Sequence, residues 1–276
     1  MPIAVVPEFR VLYEDEGVLA VDKAAPLLTH PTGEKNEPTL WHGVRELLAF
    51  ELATGGQVSL INRLDRETSG IVLIAKTAEA AAELGKAMMA RQLKKEYYCV
   101  VLGNPAWHAA CCAEPITRME SVAETRIHIR QCCHPSGKPC RTEFEVQERR
   151  AGDALMPPMA LLRCRPHTGR MHQIRVHLAH LGYPLVGDKI YGGDERNYLD
   201  FIDKGWTPEL AARLILPRHA LHACRLTFPW RESSITVESP LPADMAALLQ
   251  CCSSGPRESV EKIVCNDLDG LKPTHI

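Results

Sequence analysis

The sequence has no apolar run that approaches the roughly 18 residues needed to cross a bilayer. Its first eight residues lack the basic start and the long apolar stretch of a secretory signal peptide. Internal repeats are absent as well. The 276 residues are 45% hydrophobic and 24% charged, which is ordinary for a globular protein with a sizeable core. We therefore expect a cytoplasmic protein that is not inserted in a membrane.

The chain contains eleven cysteines but lacks the patterns that would organise them. An odd total that includes three adjacent pairs does not fit a disulfide framework. The cluster from Cys132 to Cys140 contains no C-x-x-C pair, and no second pair stands at zinc-finger spacing. The sequence therefore predicts free thiols and no bound metal.

Acidic residues are absent between Asp153 and Asp188, where four arginines and four histidines occur. The net charge of the whole chain is only −2, so a protein that coats nucleic acid nonspecifically is not expected. A local basic stretch can nevertheless bind a phosphate backbone, because the field that matters is local. This stretch is one candidate face for nucleic acid.

Asp65 lies between Arg63 and Arg66, and small polar residues and Gly70 follow it. The next residues, 71–76, form an apolar, mostly β-branched run that is typical of a buried strand. A polar turn at the start of a buried strand can hold a catalytic carboxylate rigidly. From these residues alone, a surface ion pair between aspartate and arginine is an equally good interpretation.

A longer stretch of sequence around Asp65 distinguishes the two interpretations. The segment 62–76 has the sequence N-R-L-D-R-E-T-S-G-I-V-L-I-A-K. It resembles the signature of the RluA-type pseudouridine synthases, H-R-L-D-x-x-T-S-G followed by an apolar strand that ends in A-K. The resemblance implies that Asp65 is the catalytic residue and that Arg63 enters the base stack of the RNA. Asn62 departs from the pattern, because the family usually has histidine there, and this puts the finer geometry of the loop in doubt.

Two further motifs resemble the family in the order that it requires. In the first, K-x-Y-x-x-x-V-x-G, Tyr97 takes the place of the tyrosine that packs against the target base, although an ordinary strand aromatic would fit as well. The second is T-G-R-M-H-Q-I-R-V-H-L-A at 168–179. It implies that Arg175 pairs with Asp65, and a helix start with Arg170 beside it predicts a phosphate site.

The resemblance implies an α+β fold, with a mixed, mostly antiparallel central sheet flanked by helices and loops. One pseudouridine synthase catalytic domain is expected over residues 1–253, followed by a polar, mobile tail at 254–276. No separate N-terminal RNA-binding domain of the S4 type is expected. Periodicity predicts one helix over 40–53, an irregular region over 106–139 and a variable insert over 197–216.

The resemblance implies an isomerase that converts a specific uridine in ribosomal or transfer RNA to pseudouridine. That reaction needs one carboxylate and neither a metal nor a redox cofactor. We expect a monomer that binds RNA. A glycoside or nucleoside hydrolase is an alternative, but it usually needs two carboxylates about 5 to 9.5 Å apart, and Glu67 has no evident reason to face the same substrate as Asp65. A catalytically silent RNA-binding module is a second alternative, which the presence of both Asp65 and Arg175 disfavours.

Overall fold

The computed structural model describes residues 9–31 and 37–250, so the tail expected at 254–276 lies outside the described residues. The strands are β1 Phe9–Glu14, β2 Val18–Lys23, β3 Ser59–Leu60, β4 Ser69–Ala75, β5 Lys94–Leu102, β6 Ala109–Cys112, β7 Ile116–Arg118, β8 Gln131–Cys133, β9 Thr142–Arg150, β10 Met159–Pro166, β11 Leu221–Trp230 and β12 Ser233–Glu238. The helices are α1 Leu40–Leu47, α2 Ala49–Ala53, α3 Ala78–Met89, α4 Gln173–His180, α5 Arg196–Lys204, α6 Pro208–Leu214 and α7 Ala243–Gln250, with a 3-10 turn at Met119–Ser121.

The described chain divides into two compact units. The first unit contains the residues up to Tyr97 together with His222–Pro240. The second contains Tyr98–Leu221 and the residues from Leu241 onward. Strands β5 and β11 each contribute residues to both units. The extent of a single catalytic domain over residues 1–253 therefore stays a prediction.

In the first unit, the strand order is β1-β2-β4-β11, with β3 beside β4 and β12 beside β11. The pairs β1–β2, β2–β4, β3–β4 and β11–β12 are antiparallel, whereas β4 and β11 run parallel. Every residue of β4 is buried, which explains its continuous apolar sequence. Its core neighbours include Val18, Leu226 and Phe228.

At the start of β4, the backbones of β4 and β11 come so close that only glycine fits at this position. Gly70 has φ of +110° and pairs with Ala223 of β11. A Cβ atom at Gly70 would lie within 3 Å of three backbone atoms of Ala223, so a larger residue would push the two strands apart. The glycine of the T-S-G motif therefore sets the start of the parallel strand pair.

In the second unit, the second half of β5 is followed in the sheet by β10, β9 and β6, and β7 pairs with β8 in a separate antiparallel ribbon. The pairs β9–β10 and β6–β9 are antiparallel. The prediction of an irregular region over 106–139 was wrong, because that region contains β6, β7 and β8. Each of these strands has only three or four residues, which is too short for a clear alternation of apolar and polar side chains.

The remaining predictions for helices need smaller corrections. The helix predicted over 40–53 is two helices, which are separated at Leu48. The insert predicted over 197–216 contains α5 and α6, and the start of α6 shows the expected signals, a Thr207 cap and Pro208 in the first turn. The fold class itself is confirmed as α+β with a mixed, mostly antiparallel sheet. None of the helices in residues 9–31 and 37–250 has the length and apolar character to cross a membrane.

Candidate active site

Asp65 lies in the loop between β3 and β4, four residues before β4 begins. Its carbonyl oxygen accepts a hydrogen bond from the backbone N–H of Thr68 at 3.1 Å, which closes a turn over residues 65–68. Asp65 is half-buried, and the residues that follow the turn are fully inside the core of the first unit. The aspartate is therefore held at the surface end of a rigid, buried strand.

The residues on both sides of Asp65 are fixed through their backbones. The buried hydroxyl of Thr29 donates to the carbonyl oxygen of Leu64 at 2.8 Å, and it accepts from the Leu64 N–H at 3.3 Å. The ammonium of Lys23, which has no exposed surface, donates to the carbonyl oxygens of Leu27 at 2.7 Å and Arg66 at 3.2 Å. The stretch from Lys23 to Thr29 thus holds the backbone of Leu64 and Arg66, the two neighbours of the candidate catalytic carboxylate.

Sequence reasoning assigned no role to Thr29 or Lys23. Lys23 ends β2 and Thr29 lies in the segment after it, and their partners are 35 residues from Thr29 and 43 residues from Lys23 in the chain. A lysine that ends an apolar strand was the only available signal, because a buried ammonium needs several oxygen acceptors. The position of those acceptors depends on the fold.

The two arginines beside Asp65 have different surroundings. Arg66 forms an ion pair with Glu37, with 3.1 Å between Nη1 and Oε2. Arg63 is exposed, and it has no hydrogen bond or ion pair to any residue in the ranges 9–31 and 37–250. An exposed guanidinium without a carboxylate partner can contact an RNA base or phosphate.

Asn62 stands where the family usually has histidine, and its side chain forms hydrogen bonds with the backbone of β4. It is 6% exposed. Its Nδ2 donates to the carbonyl oxygen of Ile71 at 3.1 Å, and its Oδ1 accepts from the N–H of Leu73 at 2.8 Å. The amide therefore ties the start of the Asp65 loop to the strand that the loop leads into.

Tyr97 is buried in β5, in the first unit with Asp65 and Arg63. The neighbouring Tyr98 belongs to the second unit, where its hydroxyl accepts a hydrogen bond from Arg163 Nη2 at 3.0 Å. The guanidinium of Arg163 also lies 5.5 Å from the centre of the Tyr98 ring. Tyr98 is thus engaged in a structural contact, which leaves Tyr97 as the candidate for contact with a base.

Arg175 lies in α4 of the second unit and forms a buried ion pair with Asp188. Its Nε donates to Asp188 Oδ2 at 2.7 Å, and its Nη2 donates to Oδ1 at 2.9 Å. The Arg175 guanidinium also lies 5.1 Å from the centre of the Tyr191 ring. Sequence reasoning missed this partner, although Asp188 belongs to a G-D motif that is typical of a structural turn. The pairing of Arg175 with Asp65 stays a prediction.

Asp188 is fully buried, yet its surroundings keep it ionised. Burial alone would raise the pKa of Asp188, but the charge and hydrogen bonds of Arg175 hold that pKa well below its ordinary value. The backbone N–H groups of Ile190 and Tyr191 add two hydrogen bonds to Oδ1, each at 3.0 Å. A carboxylate with this many donors fixes the orientation of Arg175.

Arg170 is exposed before α4, and its Nη2 donates to the carbonyl oxygen of Pro139 at 3.3 Å. The helix begins at Gln173, whose Oε1 accepts from the backbone N–H of Arg170 at 3.0 Å. Because Gln173 occupies that N–H group, a phosphate would contact the exposed guanidinium of Arg170 at this position.

The histidine at the centre of α4 has a structural environment. His177 is buried, and its Nδ1 and Nε2 lie 2.9 Å and 3.0 Å from Thr142 Oγ1 and the Glu114 carbonyl oxygen. Burial lowers the pKa of His177, so the neutral ring is favoured. Eight cysteines fall in the described ranges, all with free thiols, and no group of three or more metal-ligating side chains was found there.

A family model described as RNA pseudouridylate synthase matches residues 17–180, which include Asp65, Tyr97 and Arg175. The chain belongs to this family. Similar proteins include ribosomal large subunit pseudouridine synthase D of Nitrosomonas europaea, 37% identical over 92% of this chain and 68% of that protein. The protein of the same name from Yersinia pestis is 33% identical over 90% of this chain and 72% of its own length.

Solved structures agree on the fold. Human RNA pseudouridylate synthase domain containing 1 aligns with a TM-score of 0.65 and 23% identity, over 93% of this chain and 99% of that one. Human RNA pseudouridylate synthase domain containing 4 aligns with a TM-score of 0.67 and 22% identity, over 90% of this chain and 95% of that one. The family model and the similar proteins confirm the resemblance found in the motifs, and the protein is an RNA pseudouridine synthase, an isomerase. The hydrolase and the catalytically silent module are set aside.

Asn62→Ala tests the amide that anchors the Asp65 loop. The change leaves the Ile71 carbonyl and the Leu73 N–H without their partner, so we expect a loss of about 2 kcal/mol in unfolding free energy. Asn62→His is expected to lose less, because a neutral imidazole also has one donor and one acceptor. Urea unfolding measures both. Asn104→Ala, which removes an exposed asparagine, is the matched control, and an equal loss there would contradict the assignment.

Asp188→Asn tests the buried ion pair with Arg175. The variant leaves a buried guanidinium without its counter-charge, so we expect a loss of about 3–5 kcal/mol in unfolding free energy at neutral pH. The folded-state pKa of Asp188 is lowered, so its contribution to the unfolding free energy is complete above the unfolded-state pKa of about 4. That contribution disappears as pH falls through the folded-state pKa. The gap between wild type and variant should therefore narrow in acid.

Urea unfolding between neutral pH and acid measures this gap. The control is Asp203→Asn, which removes an exposed carboxylate of α5. The control should follow the wild type at every pH. A gap between wild type and Asp188→Asn that widens in acid would contradict the assignment.

Proposed function

We propose that Asp65 is the catalytic carboxylate of this pseudouridine synthase. The observation that carries the proposal is the clamp on its loop, in which Thr29 binds the backbone of Leu64 and Lys23 binds the carbonyl oxygen of Arg66, on either side of the aspartate. A carboxylate that must meet one carbon atom of a flipped nucleotide has to be held within a fraction of an ångström. The clamp supplies that rigidity, and the motif match supplies the chemical role.

The other site residues take their proposed roles from the same resemblance. Arg63, exposed and unpaired within the described residues, would fill the space that the flipped uridine leaves in the RNA stack. Tyr97 would pack against the uracil ring, and Arg170 would bind a phosphate. These roles agree with the exposure of Arg63 and Arg170 and with the burial of Tyr97.

Arg175 is proposed as the partner of Asp65. Its Nε and Nη2 donate to Asp188, which holds the guanidinium in one orientation. A guanidinium next to Asp65 would favour the ionised carboxylate and oppose the effect of burial. Asp188 would then act as a positioning residue, because it orients Arg175.

The reaction breaks the bond between N1 of uracil and C1′ of ribose, rotates the base, and joins C5 to C1′. The proton on C5 leaves, and N1 takes one up. Asp65 can serve by adding to the base, by adding to C1′, or by removing the 2′ proton. In each case, the rigid carboxylate is the group that this chain contributes to the reacting atoms.

We propose that the substrate is ribosomal RNA of the large subunit, with transfer RNA as the second choice. The support is that similar proteins, including those of Nitrosomonas europaea and Yersinia pestis, are named ribosomal large subunit pseudouridine synthase D. Chemical mapping of pseudouridines in total RNA from a deletion strain tests the choice, since the missing site identifies the substrate. The monomeric state and the cytoplasmic location stay predictions.

Asp65→Asn tests the catalytic role. The amide cannot act as a nucleophile or a base, so tritium release from RNA labelled with 5-³H-uridine should fall below detection. Binding of the same RNA should change little, because the side chain keeps its size.

The matched control for this variant is Glu67→Gln, which removes a carboxylate from the same loop and should retain turnover. If Asp65→Asn still released tritium, the assignment would be wrong. If both variants were inactive, the reaction would depend on two carboxylates instead of one.

A further inference from the structure

The start of α1 carries a cluster of aromatic and cationic side chains, which we call the Trp41 cluster: His30, Trp41, His42 and Arg45. The guanidinium of Arg45 lies over the indole of Trp41, with 4.6 Å from its carbon to the ring centre. The rings of His30 and His42 have their centres 5.6 Å and 5.3 Å from that of Trp41. His30 and Arg45 are exposed, and Trp41 and His42 are half-buried.

One member of the cluster has an evident structural role. The Nδ1 of His42 accepts a hydrogen bond from the backbone N–H of Thr39 at 3.3 Å, which caps the start of α1. No such role is found for Arg45. It has no hydrogen bond or ion pair to any residue within 9–31 and 37–250.

Four other arginines of the first unit are paired with carboxylates, whereas the exposed Arg63 and Arg91 have no carboxylate partner within 9–31 and 37–250. The pairs are Arg10 with Asp22, Arg66 with Glu37, Arg225 with Glu238, and Arg231 with Glu16. Arg45 is stacked on an indole instead, and its charge is not neutralised by a described neighbour. Such a charge favours an anionic partner.

The Trp41 cluster is joined to the candidate catalytic loop through a single residue, Thr29. The N–H of Trp41 donates to the carbonyl oxygen of Thr29 at 3.1 Å. The hydroxyl of Thr29 bonds to both backbone groups of Leu64, which stands between Arg63 and Asp65. Thr29 therefore links the backbone of Trp41 to that of Leu64, the residue next to Arg63.

An unpaired nucleotide matches this combination of groups. Its base has a flat face that stacks on aromatic rings and on guanidinium planes, and its phosphate is attracted to an arginine. Stacking of this kind is tolerant of sequence, because every base has such a face. A half-buried indole under an exposed guanidinium offers both contacts, and its link to the candidate catalytic loop favours RNA over a protein partner.

We propose that the Trp41 cluster binds an unpaired nucleotide adjoining the target uridine, with the base stacked on the layer of Trp41 and Arg45 and the phosphate held by Arg45. This assignment rests on the proposed function of the Asp65 loop. Arg63 and the Trp41 cluster, whose backbones are linked through Thr29, would then both contact the RNA. The cluster acts by positioning the RNA and does not touch the reacting atoms.

The test compares Trp41→Ala, Trp41→Phe and Arg45→Ala with wild type. Phe50→Ala and Arg126→Ala are the matched controls, since each removes an exposed aromatic or an exposed arginine outside the cluster. Two quantities are measured. One is kcat and KM for tritium release from an unmodified large-subunit ribosomal RNA transcript, and the other is Kd for a fluorescein-labelled single-stranded oligouridine over a range of salt concentrations.

We expect Trp41→Ala to raise both KM and Kd about tenfold, with little change in kcat, and Trp41→Phe to retain most of the affinity. Arg45→Ala should also weaken binding, and it should lower the slope of log Kd against log salt by about 0.7, the value for one phosphate on a single strand. Arg45 is exposed, so this variant folds even if a change at Trp41 disturbs α1.

The proposal is overturned if KM and Kd of Trp41→Ala and Arg45→Ala stay within about twofold of wild type while Asp65→Asn abolishes turnover. That result would leave the proposed function intact. Equal losses in Phe50→Ala and Arg126→Ala would overturn it too, because the effect would not be local. If wild type released no tritium from the transcript, the substrate proposal would fail, and the oligouridine Kd would still decide the role of the cluster.

Discussion

The buried ammonium of Lys23 is the interaction on which the candidate site depends most directly. A cation without contact to water is costly unless oxygen atoms surround it. Here the carbonyl oxygens of Leu27 and Arg66 point at it, which forces the segment after β2 and the loop before β4 into one arrangement. Thr29 adds a neutral contact to the same loop at Leu64. The cost of burying the charge is offset only when all these groups are in place, so the loop has little freedom to move.

The second unit also contains a buried charge, that of Arg175, which is paired with Asp188. Asp188 is enclosed by the fork of Arg175 and by two backbone N–H groups, and each group satisfies the others. Burial of paired charges contributes little net stability, but it penalises every other orientation of the side chains. Both units thus use a buried ion to set the direction of a polar group. This is a common requirement in enzymes whose reaction depends on one well-aimed carboxylate.

Much of the site could be predicted from the sequence, because its residues lie in short motifs with fixed spacing. Asp65, Tyr97 and Arg175 were predicted as site residues in this way, and β4 was predicted from the run of β-branched residues. The contacts that orient these residues could not be found, since the partners of Lys23, Thr29 and Arg175 lie 43, 35 and 13 residues away. Short strands such as β7 were missed for another reason, because three residues carry no readable period.

The first unit is made of two pieces of chain, and this determines when it can be completed. Strand β4 receives its parallel neighbour from His222 and Ala223, which the ribosome synthesises only after the whole segment Tyr98–Leu221 has been made. Until then, one edge of the strand that carries the Asp65 loop has no partner from β11. Long-range pairing of this kind slows folding and exposes a hydrophobic strand edge in the meantime. The nascent enzyme would therefore be inactive, and prone to association through β4, until β11 has been translated.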